Sequence, residues 1–475
     1  MTTASDVGGK AGGDIVALPL LTHRGAHSTR ATETVYAVDG RPLASLSLSP
    51  DLLTSQSILA QERAAPLPAH ERAKHLAEAS QRFLDDVIGG LSFKEHCAYV
   101  NQVSGHSVPV TEQLSRAVAT AVAEAPGRAD RARPNGSLSS WREAAEGPGS
   151  GVWTRRGETL AAVLSGNAPT IQNGWLQALA LGYRVAVRPS RREPFTAYRV
   201  ISALRAAGFR NTDAVYLPTT HAGVPTLLRR TDLALVYGGD EVKSRYGSSP
   251  TVKVGGPGRS KTLVGSDYVS ASSLDSIAES VSALSGAACV NTTAVLVEGD
   301  HARFAGDLAG VLRERAGERQ VTAQHLGPRV TRESAEALIA HLRRSASRAH
   351  AEIPLEEVAV PHPDGGVVLG PAVFTVDDPH DSLLAAELPF PCVWVAPWTK
   401  ADGVAPLRNS LVVNAMTEDT DLIDALLHEP SVTNVYVDAP TVHSDGNIPH
   451  EGYLGDFLMR NKAVVSSGRS GRGMR

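Results

Sequence analysis

Residues 165–190 read SGNAPTIQNGWLQALALGYRVAVRPS, and this stretch decides the fold. It begins at the end of a strand, passes through a turn that contains Asn167, and continues as a helix. A second apolar strand, RVAVR, follows and ends in Arg-Pro-Ser. A strand, a helix and another apolar strand in this order are typical of a parallel sheet that is covered on both faces.

The same alternation continues on both sides of this unit. The strands LAAVLSG, AVYLP and LALVYGG alternate with helical segments up to about residue 265, and a second alternating block follows. We therefore predict an α/β protein with four parts. These are a flexible N-terminus (1–30), a dinucleotide-binding domain (31–265), a catalytic domain (266–430) and an oligomerisation strand with a polar tail (431–475).

Smaller patterns refine this division. Residues 34–48 alternate around Asp39-Gly40 and predict a hairpin. Apolar residues at helical spacing predict helices over about 68–87 and 111–125, and the polar stretch 126–150 is typical of a loop. The hairpin and the C-terminal strand are expected to form the small oligomerisation element.

Composition excludes several classes of protein. The 475 residues carry 46 basic and 50 acidic side chains, so no basic surface for nucleic acid is expected. No apolar run is long enough to span a membrane, and the first residues lack the layout of a secretion signal. The three cysteines, Cys97, Cys289 and Cys392, do not suggest a disulfide framework. We therefore expect a cytoplasmic enzyme or binding protein.

Cys289 is the candidate nucleophile among these three thiols. It lies in SGAACVNTTAVLVEG (285–299), where small neighbours leave room for a substrate before a strand. A thiol that attacks a carbonyl needs donors for the developing oxyanion, and the Asn167 amide at a strand end could serve. The alternatives are a buried structural cysteine and a turn-forming asparagine. Cys97 and Cys392 lie in apolar segments and are expected to be structural.

Three further motifs accompany these two. They are VYGGDEV (236–242), whose glycine pair could present backbone N–H groups to a phosphate, TVKVGGPGRSKTLVG (251–265) and ELPFPCVWV (387–395). In this order and spacing, the five segments resemble the motifs of the aldehyde dehydrogenase superfamily, from about residue 34 to 462. The resemblance implies a Rossmann-type cofactor domain, an α/β catalytic domain and a small oligomerisation element.

The resemblance also implies roles for individual residues. Cys289 would carry the acyl group and Asn167 would stabilise the oxyanion. Glu387 corresponds to the glutamate that holds the nicotinamide ribose, and Phe390 to the aromatic residue near the nicotinamide ring, although the spacing between the two is one residue longer than usual. Further cofactor contacts are expected from Arg188, Ser190, Arg191, Gly238, Gly239 and Gly255.

Two departures from the family pattern are informative. Where relatives often have a glutamate for the adenosine ribose, this chain has the run Arg188-Pro189-Ser190-Arg191-Arg192, and guanidinium groups would bind a 2′-phosphate. We therefore expect NADPH or NADP as the cofactor, with NAD as the alternative cofactor. The alternative interpretation of the arginine run is a solvated basic loop that binds no cofactor. Where hydrolytic members have a glutamate, this chain has Lys253, and a protonated lysine is a poor base.

The second departure resembles the CoA-acylating and LuxC-type acyl-thioester reductases, which also lack that glutamate. It predicts NADPH-dependent reduction of an acyl thioester, on CoA or an acyl carrier protein, to an aldehyde through an acyl-enzyme at Cys289. Oxidation of an aldehyde to an acid and a catalytically silent scaffold are the alternatives, and Glu241 or another carboxylate could replace the missing base. A homodimer or homotetramer is expected. No metal is expected, because HSDGNIPH (443–450) fits no common zinc spacing; that segment could instead border the substrate tunnel or the subunit seam.

Overall fold

The computed structural model describes residues 15–143, 150–317 and 325–465. The first part of the chain forms a cofactor-type domain. Its strands are β1 (Val16–Leu18), β2 (Leu20–Thr22), β3 (Gly25–His27), β4 (Thr32–Tyr36), β5 (Pro42–Ser47), β6 (Ser150–Arg155), β7 (Thr159–Val163), β8 (Arg184–Arg188), β9 (Ala214–Tyr216), β10 (Leu233–Tyr237) and β11 (Val252–Gly255). Its helices are α1 (Asp51–Arg63), α2 (Ala69–Asp85), α3 (Phe93–Ser104), α4 (Val108–Asp130), α5 (Asn173–Leu181), α6 (Phe195–Ala206), α7 (Val224–Arg230) and α8 (Asp240–Tyr246).

The central sheet of this domain has the strand order β11-β10-β7-β8-β9-β2-β3. The first five strands are parallel, and β2 and β3 continue the sheet in antiparallel sense. Strands β7 and β8 are buried along their whole length because helices cover both faces, which explains their unbroken apolar sequences. From β7 the successive strands β8 and β9 are added on one side of the sheet, whereas β10 and β11 are added on the other side. The strand order therefore reverses between β7 and β10. In open α/β sheets ligands bind at such a switch point, outside the carboxyl ends of the strands.

The second part forms the catalytic-type domain. Its strands are β12 (Ser260–Val264), β13 (Thr292–Val297), β14 (Arg329–Val330), β15 (His350–Ala351), β16 (Ala359–Pro361), β17 (Val367–Leu369), β18 (Ala372–Thr375), β19 (Cys392–Pro397), β20 (Ser410–Met416) and β21 (Val432–Val437). Its helices are α9 (Ala271–Ser282), α10 (His301–Gly317), α11 (Arg332–Ser345), α12 (Leu355–Val358) and α13 (Thr420–His428). The main sheet has the order β15-β18-β19-β13-β12-β20-β21, parallel except for β15. Together the two parallel sheets confirm the predicted α/β class.

The last elements of the described residues are α14 (Leu454–Leu458) and β22 (Met459–Val464). Strand β22 pairs antiparallel with β6 in a two-stranded ribbon. The predicted hairpin is present as β4 and β5, but it forms a separate sheet with β1. The hairpin and the last strand therefore do not combine into one element, because β22 finds its partner in residues 150–155.

Three predicted boundaries differ from the structure. The change of sheet falls between β11 and β12, so residues 260–264 belong to the second domain. Strand β21, expected in the oligomerisation element, pairs with β20 in the catalytic sheet. Residues 15–30 contain β1 to β3 and are not a flexible terminus, whereas residues 1–14 lie outside the described residues. In each case a long-range strand pairing, which local pattern cannot reveal, sets the boundary.

Helices also differ in two places. Helix α1 was not predicted, because most of its residues are polar and its buried side chains include Thr54, Ser57 and Gln61. Gln61 donates through Nε2 to the carbonyl of Val185, at 3.0 Å, so the helix is held on the sheet partly by a buried hydrogen bond. Helix α4 extends beyond the predicted 111–125 into the segment expected to be a loop. Residues 144–149 of that segment lie outside the described residues.

Candidate active site around Cys289

Cys289 lies in the turn that leads into β13 and is half-buried. The preceding turn is tightly packed: Gly286 has φ 66°, and a Cβ on it would lie 2.3 Å from the backbone nitrogen of Pro391. On the other side, a Cβ on Gly258 would lie 1.9 Å from the carbonyl oxygen of Cys289. That carbonyl also accepts a hydrogen bond of 3.0 Å from the Ser260 hydroxyl. The loop that carries Cys289 is therefore held by backbone atoms on two sides.

The Cys289 thiol faces a histidine from the C-terminal segment. Sγ of Cys289 lies 3.4 Å from Nε2 of His450, although 161 positions separate them in the sequence. Burial, followed by the nearby carboxylates of Glu451 and Glu387, raises the pKa of the Cys289 thiol to about 12. Burial lowers the pKa of His450. The negative charge of Glu451 opposes this effect, and the positive charge of Lys253 adds to it. At neutral pH both groups are therefore uncharged, and the thiol is not a preformed thiolate.

Three hydrogen bonds hold the segment that carries His450. The Asn434 side-chain amide donates to the carbonyl oxygen of His450, at 2.5 Å. Nζ of Lys253 donates to the carbonyl oxygen of Glu451, at 2.8 Å, and the Gly256 amide donates to the Glu451 carboxylate, also at 2.8 Å. Lys253 occupies the position where hydrolytic relatives are expected to have a glutamate. From β11 its ammonium group binds the C-terminal segment.

Asn167 lies beside the loop that carries Cys289, beyond the carboxyl end of β7. Its Nδ2 donates to the carbonyl oxygen of Ala287, at 3.1 Å, and its Oδ1 accepts from the Ser165 hydroxyl, at 2.5 Å. The buried His106 contacts the Asn167 carbonyl oxygen through Nε2, at 2.8 Å, from just beyond the end of α3. The structure therefore brings together the two residues to which the sequence assigns catalytic roles.

Glu387 and Phe390 occupy different environments. The Glu387 carboxylate accepts from the amide nitrogen of Gly258, at 2.8 Å, and more weakly from that of Arg259, at 3.3 Å. Burial raises the pKa of Glu387 despite these bonds. The Phe390 side chain is only 1% exposed and packs in the core of the second domain. In this arrangement its ring has no exposed face for a nicotinamide, so the role predicted for Phe390 does not fit, in line with its shifted spacing.

The three predicted glycines lie where parallel strands of the first sheet end. Gly238 follows β10, and a Cβ there would meet the Val242 side chain at 2.5 Å, whereas a Cβ on Gly239 would point into open space. Gly255 ends β11 and leaves room for the Tyr237 ring, which a Cβ would approach to 2.4 Å. Gly239 thus has open space where a side chain would stand, while Gly255 allows the close packing of Tyr237 and Glu451 beside the Cys289 site.

The basic run after β8 forms a cluster at the same edge of the sheet. Arg188 is 5% exposed, donates through Nε to the Thr219 carbonyl at 3.3 Å, and its Nη2 is buried without a hydrogen-bond partner among the described residues. Arg191 forms an ion pair of 2.8 Å with Glu33. Burial, and then the charges of Arg188 and Arg191, lower the pKa of the neighbouring His221. Ser190 accepts from the Arg192 amide at 3.2 Å and supports the turn.

Sequence reasoning missed His450 and Glu451 as members of this site. Residues 443–450 fit no common zinc spacing, and the sequence left them as a border of the substrate tunnel or of the subunit seam; in the structure His450 lies beside the Cys289 thiol. An adjacent histidine and glutamate indicate a possible functional site, but nothing in the sequence spacing relates His450 and Glu451 to Cys289. Cys97 and Cys392 are buried in the two domains. Within residues 15–143, 150–317 and 325–465, no cluster of three or more metal-ligating side chains is found, and no helix could cross a membrane.

Comparison with known proteins identifies the family. Residues 56–458 match the aldehyde dehydrogenase family model. Similar solved structures include an NAD-dependent aldehyde dehydrogenase from Sinorhizobium meliloti, with a TM-score of 0.80, 15% identity, and 99% of each chain covered. Another is the indole-3-acetaldehyde dehydrogenase AldA of P. syringae in complex with NAD+ and IAA, with a TM-score of 0.79 and 16% identity, covering 94% of this chain and 96% of that chain.

The aldehyde dehydrogenase KauB from Pseudomonas aeruginosa has a TM-score of 0.77 and 15% identity, covering 94% of this chain and 96% of that chain. No curated protein sequence matches this chain significantly. At such identities the structural likeness establishes the fold, and the family match covers most of the sequence. This chain is a member of the aldehyde dehydrogenase family.

Proposed function

We propose that this protein oxidises an aldehyde to a carboxylic acid with a nicotinamide nucleotide, through a covalent adduct on Cys289. The contact that carries the proposal is the 3.4 Å approach of the Cys289 thiol to His450, with the Asn167 amide beside the same loop. The similar solved structures carry the names of aldehyde dehydrogenases, which favours oxidation over thioester reduction. The same contact argues against a catalytically silent scaffold.

The residues of the site divide the reaction between them. Cys289 attacks the aldehyde carbon, and negative charge develops on the aldehyde oxygen. We assign the stabilisation of that charge to the second N–H of the Asn167 side chain, because the bond to Ala287 uses only one of the two. Loss of a hydride from the adduct leaves a thioester on Cys289. Water then releases the acid and restores the thiol.

A nicotinamide nucleotide fits the residues at the switch point of the first sheet. When bound, it supplies the hydride acceptor. Arg188 offers a buried guanidinium nitrogen with no partner among the described residues, and Gly239 leaves open space beside the strand end. Glu387 lies near the Cys289 site, as a residue for the nicotinamide end would. We therefore assign the adenosine end to the Arg188 side and the nicotinamide end to the Cys289 side.

NADP is our proposal for the preferred cofactor. Arg188 and Arg191 place two positive charges beside the neutral His221, and the carboxylates that act on this group are Glu33, which pairs with Arg191, and Glu241. A 2′-phosphate would give the unpartnered Arg188 nitrogen an acceptor, and charge-assisted bonds of this kind are the strong ones. The indole-3-acetaldehyde dehydrogenase of P. syringae was solved in complex with NAD+, which makes NAD the alternative.

Reduction of an acyl thioester from CoA or a carrier protein remains a second candidate. Lys253 favours it, because a carboxylate at that position would activate water and Lys253 instead binds the Glu451 carbonyl. Without a base for water, the acyl-enzyme would exchange with a thiol. Glu241, considered as a replacement, lies on α8 and is exposed, whereas the Glu451 carboxylate lies close enough to Cys289 to raise its pKa.

Acid formation with and without an acceptor thiol distinguishes the two functions. We expect the protein to convert a panel of aldehydes plus NADP+ to free acids at the same rate whether or not CoA is added. Cys289→Ala should abolish turnover and keep cofactor binding, and Cys97→Ala should remain active. Acid or thioester formation that depends on CoA, together with aldehyde production from acyl-CoA and NADPH, would instead establish the thioester reductase.

We further propose that the protein assembles as a homodimer or homotetramer in the cytoplasm. The β6–β22 ribbon supports assembly, because four successive residues of β22 are exposed and an isolated two-stranded ribbon is only marginally stable. A second copy could pair along an open edge of this ribbon. Light scattering of the purified chain measures the assembly directly, and a monomer at micromolar concentration would contradict it.

A further inference from the structure

His450 lies beside the thiol of Cys289, and the reaction steps carried by Cys289 and Asn167 leave the imidazole without a chemical role. Its Nε2 lies 3.4 Å from Sγ of Cys289, the distance of a sulfur hydrogen bond. The thiol needs a proton acceptor, because burial and the neighbouring Glu451 and Glu387 raise its pKa to about 12. A thiol with such a pKa is almost entirely protonated at pH 7, and the thiol form is a weak nucleophile.

We propose that His450 is the general base that takes the thiol proton of Cys289, so that the nucleophile acts as a cysteine–histidine pair. This inference rests on the proposed oxidation at Cys289 for its place in a reaction, but the pair itself can be tested without any aldehyde. A residue of the C-terminal segment thus activates the nucleophile.

Other groups around the pair are less suited to this role. The Glu451 carboxylate accepts the Gly256 amide, and the Lys253 ammonium group is bound to a carbonyl. Glu387 accepts two backbone amides. Burial, Glu451 and Cys289 raise the pKa of the Tyr237 hydroxyl, which therefore stays protonated. Among the groups that face the thiol, His450 is the neutral base in direct contact with sulfur.

The proton balance of the step is simple. As the bond from Sγ to the aldehyde carbon forms, the thiol proton moves to Nε2, giving an imidazolium and an oxyanion. After oxidation to the thioester, the imidazolium loses this proton to solvent. In deacylation His450 accepts a proton from the attacking water and returns it to sulfur as the acyl–sulfur bond breaks. Cysteine and histidine thus end in their starting states.

The hydrogen bonds around residues 450 and 451 support a fixed position for the imidazole. Asn434 in β21 holds the His450 carbonyl, and Lys253 in β11 holds the Glu451 carbonyl. The two anchors come from different sheets. Precise placement matters, because a general base must lie within hydrogen-bond reach of the proton that it removes.

Alkylation of Cys289 by iodoacetamide, followed by mass spectrometry, tests the pair directly. In His450→Gln we expect the rate at pH 7.5 to fall at least about 10²-fold, the usual contribution of a positioned base. The variant's rate should rise tenfold per pH unit up to pH 10, because only the ionised thiol then reacts. The wild-type rate should stay level from pH 7 upward, because burial keeps the pKa of His450 below its ordinary value and the base is already neutral there. Added imidazole should partly restore the variant.

His443→Gln is the matched control, since His443 lies in the same segment and its ring packs edge-on against the Tyr436 ring. It should react like the wild type. Equal alkylation rates for wild type and His450→Gln, or parallel pH profiles, would overturn the proposal. If the variant fails to fold, the wild-type profile alone decides: a tenfold rise per pH unit from 7 to 10 excludes a base. Alkylation that depends on His450 in a protein that oxidises no aldehyde would retain the pair and refute the proposed function.

Discussion

Arg191 is the single residue through which cofactor preference can be tested. Its guanidinium group pairs with Glu33 at 2.8 Å and lies in the cluster with Arg188 and His221. Arg191→Glu would place two carboxylates together and repel a 2′-phosphate. We expect the ratio of kcat/KM for NADP+ over NAD+ to fall about tenfold, equivalent to about 1.4 kcal/mol, since the ion pair is partly exposed and screened. Glu33→Gln frees Arg191 and should raise the ratio. An unchanged ratio in both variants would leave the run as a surface loop.

Helix α3 is capped by side chains at its N-terminus, and its C-terminus leads to a residue beside the site. Ser92 and Glu95 form a capping box: the Ser92 hydroxyl accepts from the Glu95 amide at 3.3 Å, and the Glu95 carboxylate accepts from the Ser92 amide at 2.8 Å. Just past the end of the helix, His106 contacts the carbonyl of Asn167. Ser92→Ala should lower the local stability of α3 by about 1 kcal/mol, seen as faster amide hydrogen exchange over its first turns. Ser92→Thr retains an acceptor and should behave like the wild type. Equal protection in Ser92→Ala would show that the cap contributes nothing.

At the scale of the whole molecule, the site joins three distant parts of the chain. Asn167 comes from the first sheet, Cys289 from the second domain and His450 from the C-terminal segment, which Lys253 holds across 198 positions. Lys253→Met removes that bond. Losing this hydrogen bond should destabilise the position of the segment that carries His450 by about 1 kcal/mol, which corresponds to about fivefold in an equilibrium. Iodoacetamide should therefore alkylate Cys289 about fivefold more slowly, while overall folding is retained. Lys94→Met, an exposed change on α3, is the control. A Lys253→Met protein that reacts like the wild type would show that the anchor does not position His450.

Much of the fold could be predicted because it depends on local pattern. Unbroken apolar strands such as β7 and β8 alternate with helices, and that pattern is specific to covered parallel sheets. The hairpin β4–β5 was predicted for a similar reason, from Asp39-Gly40 between alternating residues. By contrast, the polar helix α1 shows no clear periodicity, since its buried positions include hydroxyl and amide side chains that find partners only in the folded protein.

The sequence by itself determined the α/β class, the thiol in a small-residue turn and the family to which both belong. The tertiary structure alone decided which sheet receives β12 and β21, that the Phe390 ring lies in a core, and that His450 meets Cys289. The physical reason is the range of the interactions. Backbone propensity and apolar periodicity act over a few residues and are visible in the sequence. A proton acceptor 161 positions from its thiol is placed by strand pairing and by carbonyl anchors that have no local signature.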